Sequence, residues 1–244
     1  MHVLDVFEQH TITYSGGEYT RETFKYRFSE PAEILKGKQY PLVLFLHGAG
    51  ERGKDNKKQL LFLPEQFAQG KYRKMYLCFM IAPQCRRGRK WTEAPWGALK
   101  TTPTNRMSDQ LKVVMRILNR VLKKYPVDPR RIYLTGLSMG GYGSWDLAMR
   151  YPKKFAAVVP ICGGGDESKA GRLSRLPIWA VHGDADEVVP VDRTRRMIRA
   201  IRKAGGRPKY SELQGVDHHS WPWAYEYPQG VLPWMFKQKR TSTR

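Results

Sequence analysis

The chain has 244 residues, with 43 Lys and Arg against 22 Asp and Glu, for a formal net charge of +21. A chain of this length buries roughly three quarters of its unfolded surface, so it needs neither disulfide nor metal to hold a core. Three cysteines (Cys78, Cys85 and Cys162), no Cys-x-x-Cys pair and no apolar run of 18 residues argue against a disulfide scaffold, a zinc site and a membrane span. The start, MHVLDVFEQH, lacks the basic residues, apolar segment and cleavage site of a signal peptide, so a cytoplasmic location is expected.

In chain order, residues 1–38 form a β extension: HTITYSGGEYTRETFKYRFSEP alternates as two strands around a Ser-Gly-Gly turn. YPLVLFLHGAGERG follows, an apolar run ending in glycines, as expected of a buried parallel strand and its loop. MYLCFMIAPQC, residues 75–85, reads as the next strand. Residues 107–126 read as a helix: Leu111, Val114, Met115, Leu118, Val121, Leu122 and Tyr125 fall on one stripe, and Pro126 marks the end. RRIYLTG is another strand, with a helix from about Gly140 to Tyr151 behind it. FAAVVPICGGG and LPIWAVHGDADEVVP give two more strands, residues 192–204 a helix, RPKYSELQG a last strand and GVLPWMF a closing helix. Strands alternating with helices predict a mostly parallel sheet covered on both faces, in a single domain over residues 1–244.

Basic clusters lie at residues 86–90 and 193–207. In the second, Met197, Ile198 and Ile201 take the inner face at helical spacing and leave the arginines as a solvated outer face. No aromatic platform or nucleic-acid motif accompanies them, so nucleic acid is not an expected partner.

RIYLTGLSMGGYGSW crowds Gly136, Gly140, Gly141 and Gly143 around Ser138. A strand, then Gly-x-Ser-x-Gly, then a helix is the context of a nucleophile elbow, where a tight turn lifts one hydroxyl above the strand ends. The backbone N–H of Met139 then points into the same space from a helix N-terminus. A serine nucleophile needs a base and an acid to orient it, supplied by later loops in the order serine, acid, histidine. HGDADEVVP offers Asp184, Asp186 and Glu187, and GVDHHSW offers His218 and His219. His47 and His182, beside glycines at strand ends, read as structural.

Residues 40–236 resemble α/β-hydrolase serine esterases of the prolyl-oligopeptidase and phospholipase/carboxylesterase types, relatives of dienelactone hydrolase and feruloyl esterases. LFLHGAGERG, IAPQC, GLSMGGYGSWDLA, PICGGGD, HGDADEVVP and GVDHHSW carry the resemblance in order. It implies an α/β-hydrolase fold with Ser138 as nucleophile, Asp186 as acid and His218 as base. It also implies an oxyanion hole of Met139 N–H with Ala49 or Gly50 N–H, and no metal or other cofactor. The short DESKAGRLSR stretch leaves no room for a lid domain, so an open cleft and short-acyl or feruloyl-like esters, free or linked to an oligosaccharide, are expected. Gln84, Trp91 and Trp221 are the expected substrate contacts, with Trp96 a further aromatic near the strand ends. The competing functions are a serine peptidase or amidase using the same triad, and a non-catalytic binder of anionic polymers.

Overall fold

The apolar run at residues 40–46 alternates between two cores. Leu42, Leu44 and Leu46 face one hydrophobic layer, while Val43 and Phe45 face another. Every residue of this strand is buried, which a strand achieves only inside a sheet covered on both sides. The computed structural model describes residues 2–93, 95–96, 105–226 and 230–241, and the architecture below refers to them.

A short helix α1 (Val3–Val6) precedes the hairpin β1 (Glu8–Gly16) and β2 (Tyr19–Ser29), then β3 (Tyr40–Leu46). Helices α2 (Leu63–Ala68) and α3 (Gly70–Met75) lead to β4 (Phe79–Pro83). Next come α4 (Asp109–Lys124), β5 (Val127–Leu137), α5 (Met139–Arg150) and β6 (Ala157–Ile161). A 3-10 segment (Glu167–Leu173) precedes β7 (Trp179–Gly183), α6 (Asp192–Lys203), β8 (Lys209–Leu213), α7 (Trp221–Glu226) and α8 (Val231–Lys237). The strands form one eight-stranded sheet in the order β1-β2-β4-β3-β5-β6-β7-β8. Strands β3 to β8 run parallel, and the β1–β2 hairpin joins antiparallel through β2 and β4. Residues of α4, α5 and α6 fill one core layer; residues of α2, α7 and α8 fill the other. This is the expected α/β-hydrolase architecture.

The predicted helix at residues 107–126 is α4. Ser108 caps it by accepting the Leu111 N–H at 3.1 Å, and Lys123 and Lys124 sit at its negative end. The predicted strand at residues 75–85 is shorter, because Met75 ends α3 and is 58 % exposed, and pairing begins at Phe79. No helix among the described residues is long and apolar enough to cross a membrane.

The winding positions the site. From β3 the chain steps outward to β4, then crosses back over β3 to β5 and continues the other way through β6 to β8. The switch therefore falls between β3 and β5, and a crevice opens there at the carboxyl ends of the strands. The loop after β3 and the turn after β5 both empty into it.

Candidate active site

Ser138 closes β5 and opens α5 with φ 54° and ψ −118°, a conformation L-residues rarely adopt. The surrounding backbone imposes it. Ser138 N–H donates to the Ile161 carbonyl at 3.0 Å and to Cys162 Sγ at 3.3 Å. The glycines around it exist for close approach: a Cβ on Gly136 would lie 2.5 Å from the Gly140 oxygen, and one on Gly140 would overlap the Leu46 carbonyl. Strand β3 and helix α5 can meet this tightly only without those side chains.

The serine has a hydrogen-bonded relay behind it. His218 Nε2 lies 2.9 Å from Ser138 Oγ, and His218 Nδ1 lies 2.7 Å from Asp186 Oδ2. Asp186 is buried, and each of its oxygens is spoken for. Oδ1 accepts the Val188 and Val189 amides at 2.9 and 2.8 Å; Oδ2 faces His218 and also His182 Nε2 at 3.0 Å. Burial alone would raise its pKa, but the bonds from His182, His218 and Val189 prevail and hold the carboxyl well below the usual range. Asp184 stands apart, exposed, with Oδ1 accepting the Gly215 N–H at 2.7 Å. His219 turns outward, its ring 4.3 Å from that of Trp221.

His182, expected to be structural, is buried and touches the acid directly. Its Nδ1 lies 2.8 Å from Thr194 Oγ1, which ties α6 to the Asp186 loop. Its spacing four residues before Asp186 was the one available signal. His47 is structural as expected. The Cys85 N–H donates to its Nε2 at 2.9 Å, so Nδ1 carries the proton and donates to the Gly48 carbonyl at 2.6 Å. Burial lowers its pKa to about 4, which keeps the ring neutral.

Gly48 faces the serine: a Cβ there would lie 3.7 Å from Ser138 Cβ. Ala49 follows, half-buried against the core, whereas Gly50 is exposed with open space around it. Met139 is the first residue of α5, so its N–H has no intrahelical acceptor. Of the expected substrate contacts, Trp221 stays with the site, its ring 5.7 Å from that of His218. Gln84 and Trp91 are buried, with their polar groups turned to the loop after β3. The Gln84 amide accepts from Asn56 N at 2.7 Å and donates to the Glu51 carbonyl at 2.9 Å, pinning the loop after β3. Trp91 is buried, and its indole N–H donates to the His47 carbonyl at 2.9 Å. Both side chains brace the loop instead of lining the crevice. Trp96, outside β4, lies 5.9 Å beneath the Arg52 guanidinium.

The family model described as Phospholipase/Carboxylesterase matches residues 32–226. A solved thermostable esterase is 37 % identical with a TM-score of 0.85, covering 98 % of this chain and 64 % of its own. A probable carboxylesterase of Oryza sativa subsp. japonica is 28 % identical over 196 residues, 73 % of this chain and 81 % of that protein. A bifunctional acetylxylan esterase/xylanase of Neocallimastix patriciarum is 32 % identical over 90 residues, 36 % of this chain. The chain spans 64 % of the esterase and 13 % of the bifunctional protein, so it corresponds to a part of each.

Proposed function

The chain belongs to the phospholipase/carboxylesterase family, and from that premise we propose that it is a serine carboxylesterase acting on short-acyl or feruloyl-like esters. The continuous contact from Ser138 Oγ through His218 to Asp186, at 2.9 and 2.7 Å, carries this reading.

In the proposed mechanism the Ser138 oxygen attacks the ester carbonyl carbon as its proton passes to His218 Nε2. The carbonyl π electrons move onto oxygen, and the resulting oxyanion accepts hydrogen bonds from the Met139 and Ala49 N–H groups. Ala49 is preferred over Gly50 because it follows Gly48, the loop residue beside Ser138. Each such donor is worth roughly 3–4 kcal/mol at the transition state. The tetrahedral adduct collapses, the C–O bond to the alcohol breaks, and His218 delivers its proton to the departing oxygen. Water then attacks the acyl-serine, gives its proton to His218, and releases the acid as Ser138 regains a proton. Asp186 holds the ring with Nδ1 toward the carboxylate and stabilises the imidazolium formed in each half.

The test is hydrolysis of 4-nitrophenyl esters of increasing acyl length and of methyl hydroxycinnamates, by wild type and by Ser138→Ala. Hydrolysis that disappears in the variant supports the reading and ranks the acyl groups. Hydrolysis that persists in Ser138→Ala, or none in wild type beside cleavage of peptide amides, overturns it.

A further inference from the structure

One cavity lies against the loop after β3. It encloses about 610 Å³, and its lining includes Ala49 and Gly50. Around it stand four cations, Arg52, Lys54, Lys58 and Arg87, and one carboxylate, Asp55. That acid offsets one of the four positive charges and leaves the lining net positive. Its Oδ1 is engaged by the backbone amides of Lys57 and Lys58 at 2.7 and 2.8 Å. The four cations have no carboxylate ion pair among the described residues, and the Arg52 Nε donates instead to the Ala49 carbonyl at 2.7 Å.

Some basic residues elsewhere do have carboxylate partners. Arg86 pairs with Glu22, Arg89 with Glu18, Arg150 with Asp146 and Arg195 with Glu212. Unpaired cations facing a common concavity raise the local potential, and concave low-dielectric walls focus it. What distinguishes this concavity is its position: the potential concentrates beside Ala49 and Gly50, the loop that would bind the reacting carbonyl.

We infer that this cavity is a subsite for a carboxylate carried by the substrate, so that the esters turned over best are those of acidic compounds such as uronate-bearing saccharides. The inference rests on the serine esterase reading, in which the reacting carbonyl sits beside the Ala49 loop that also lines this cavity. Two guanidinium and two ammonium groups suit a carboxylate, which accepts several charge-assisted hydrogen bonds at once.

The experiment uses two matched ester pairs with the full chain. One pair carries the charge on the acyl side, 4-nitrophenyl butyrate against 4-nitrophenyl hemisuccinate. The other carries it on the alcohol side, phenyl acetate against 4-acetoxybenzoate. Wild type, Ser138→Ala and the double variant Lys54→Ala/Arg87→Ala are compared at low and high salt. Both replaced side chains are exposed. The expected result is a kcat/KM advantage of about tenfold for the carboxylate member of one pair, the size of a few screened contacts between unit charges. That advantage shrinks with salt and disappears in the double variant, whose rate on the neutral esters stays at the wild-type level. No preference for either carboxylate, or a preference the double variant retains, overturns the subsite while leaving the esterase reading intact. Hydrolysis independent of Ser138 overturns the reading on which the subsite rests.

Discussion

At the scale of single residues, the site is organised around one carboxylate. Asp186 takes hydrogen bonds from two histidines and two backbone amides, so its charge and its orientation are both fixed. Asp186→Asn keeps the shape but presents an amide where His182 and His218 expect acceptors. Its kcat should fall about 10⁴-fold, as for the same change in other serine triads, while circular dichroism stays native; unchanged turnover would remove Asp186 from the mechanism. His182→Ala removes one of those bonds and opens a small cavity, for which about 2 kcal/mol of stability is expected to be lost. Denaturant titration measures that loss, and kcat should drop with little change in KM because the effect passes through Asp186. The sequence made Ser138, Asp186 and His218 legible because each sits in a motif whose spacing follows from strand and loop geometry. It left Gln84 and Trp91 illegible, since a polar or aromatic residue beyond a strand end can brace a loop or face a ligand in the same local pattern.

At the scale of elements, the elbow depends on β3 and α5 touching backbone to backbone. A Cβ on Gly140 would press on the Leu46 carbonyl, and neither backbone can yield without moving the elbow. Gly140→Ala should therefore cost about 3 kcal/mol, the upper end for overpacking, seen as a lower Tm together with lost esterase activity. At the sheet edge, Glu212 on β8 pairs with Arg195 on α6, and the hydrogen bond from Arg195 lowers its pKa to about 2. A depressed carboxylate contributes stability above its unfolded pKa and loses it as pH falls toward the folded value. Tm of wild type should thus fall between about pH 4.5 and 2, and Glu212→Gln should flatten part of that fall; parallel curves would show that the pair contributes nothing. The parallel strands and the amphipathic α4 were readable from apolar runs and the helical stripe. Helices α2 and α3 were not, because each is only six residues long and α3 buries no side chain, so neither shows a period. The apolar residues Met75 and Leu77 passed for strand because hydrophobicity alone does not record exposure.

At the scale of the whole molecule, the switch between β3 and β5 brings together four loops that are far apart in sequence: residues 47–53, the Ser138 turn, the loop holding Asp186 and the loop holding His218. The order of motifs foretold this convergence, because in a doubly wound sheet every carboxyl end opens on the same side. The direction of each crossover needed the structure. The same packing buries all three cysteines as free thiols, and burial raises the pKa of each. Ellman's reagent should therefore find no reactive thiol in the native protein and all three after denaturation. The most direct test of the central claim is covalent labelling with a fluorophosphonate, read by peptide mass spectrometry. The predicted result is one adduct, on Ser138, formed by wild type and absent from His218→Ala. An adduct on another residue, or equal labelling of Ser138 without His218, would contradict a serine activated by this relay.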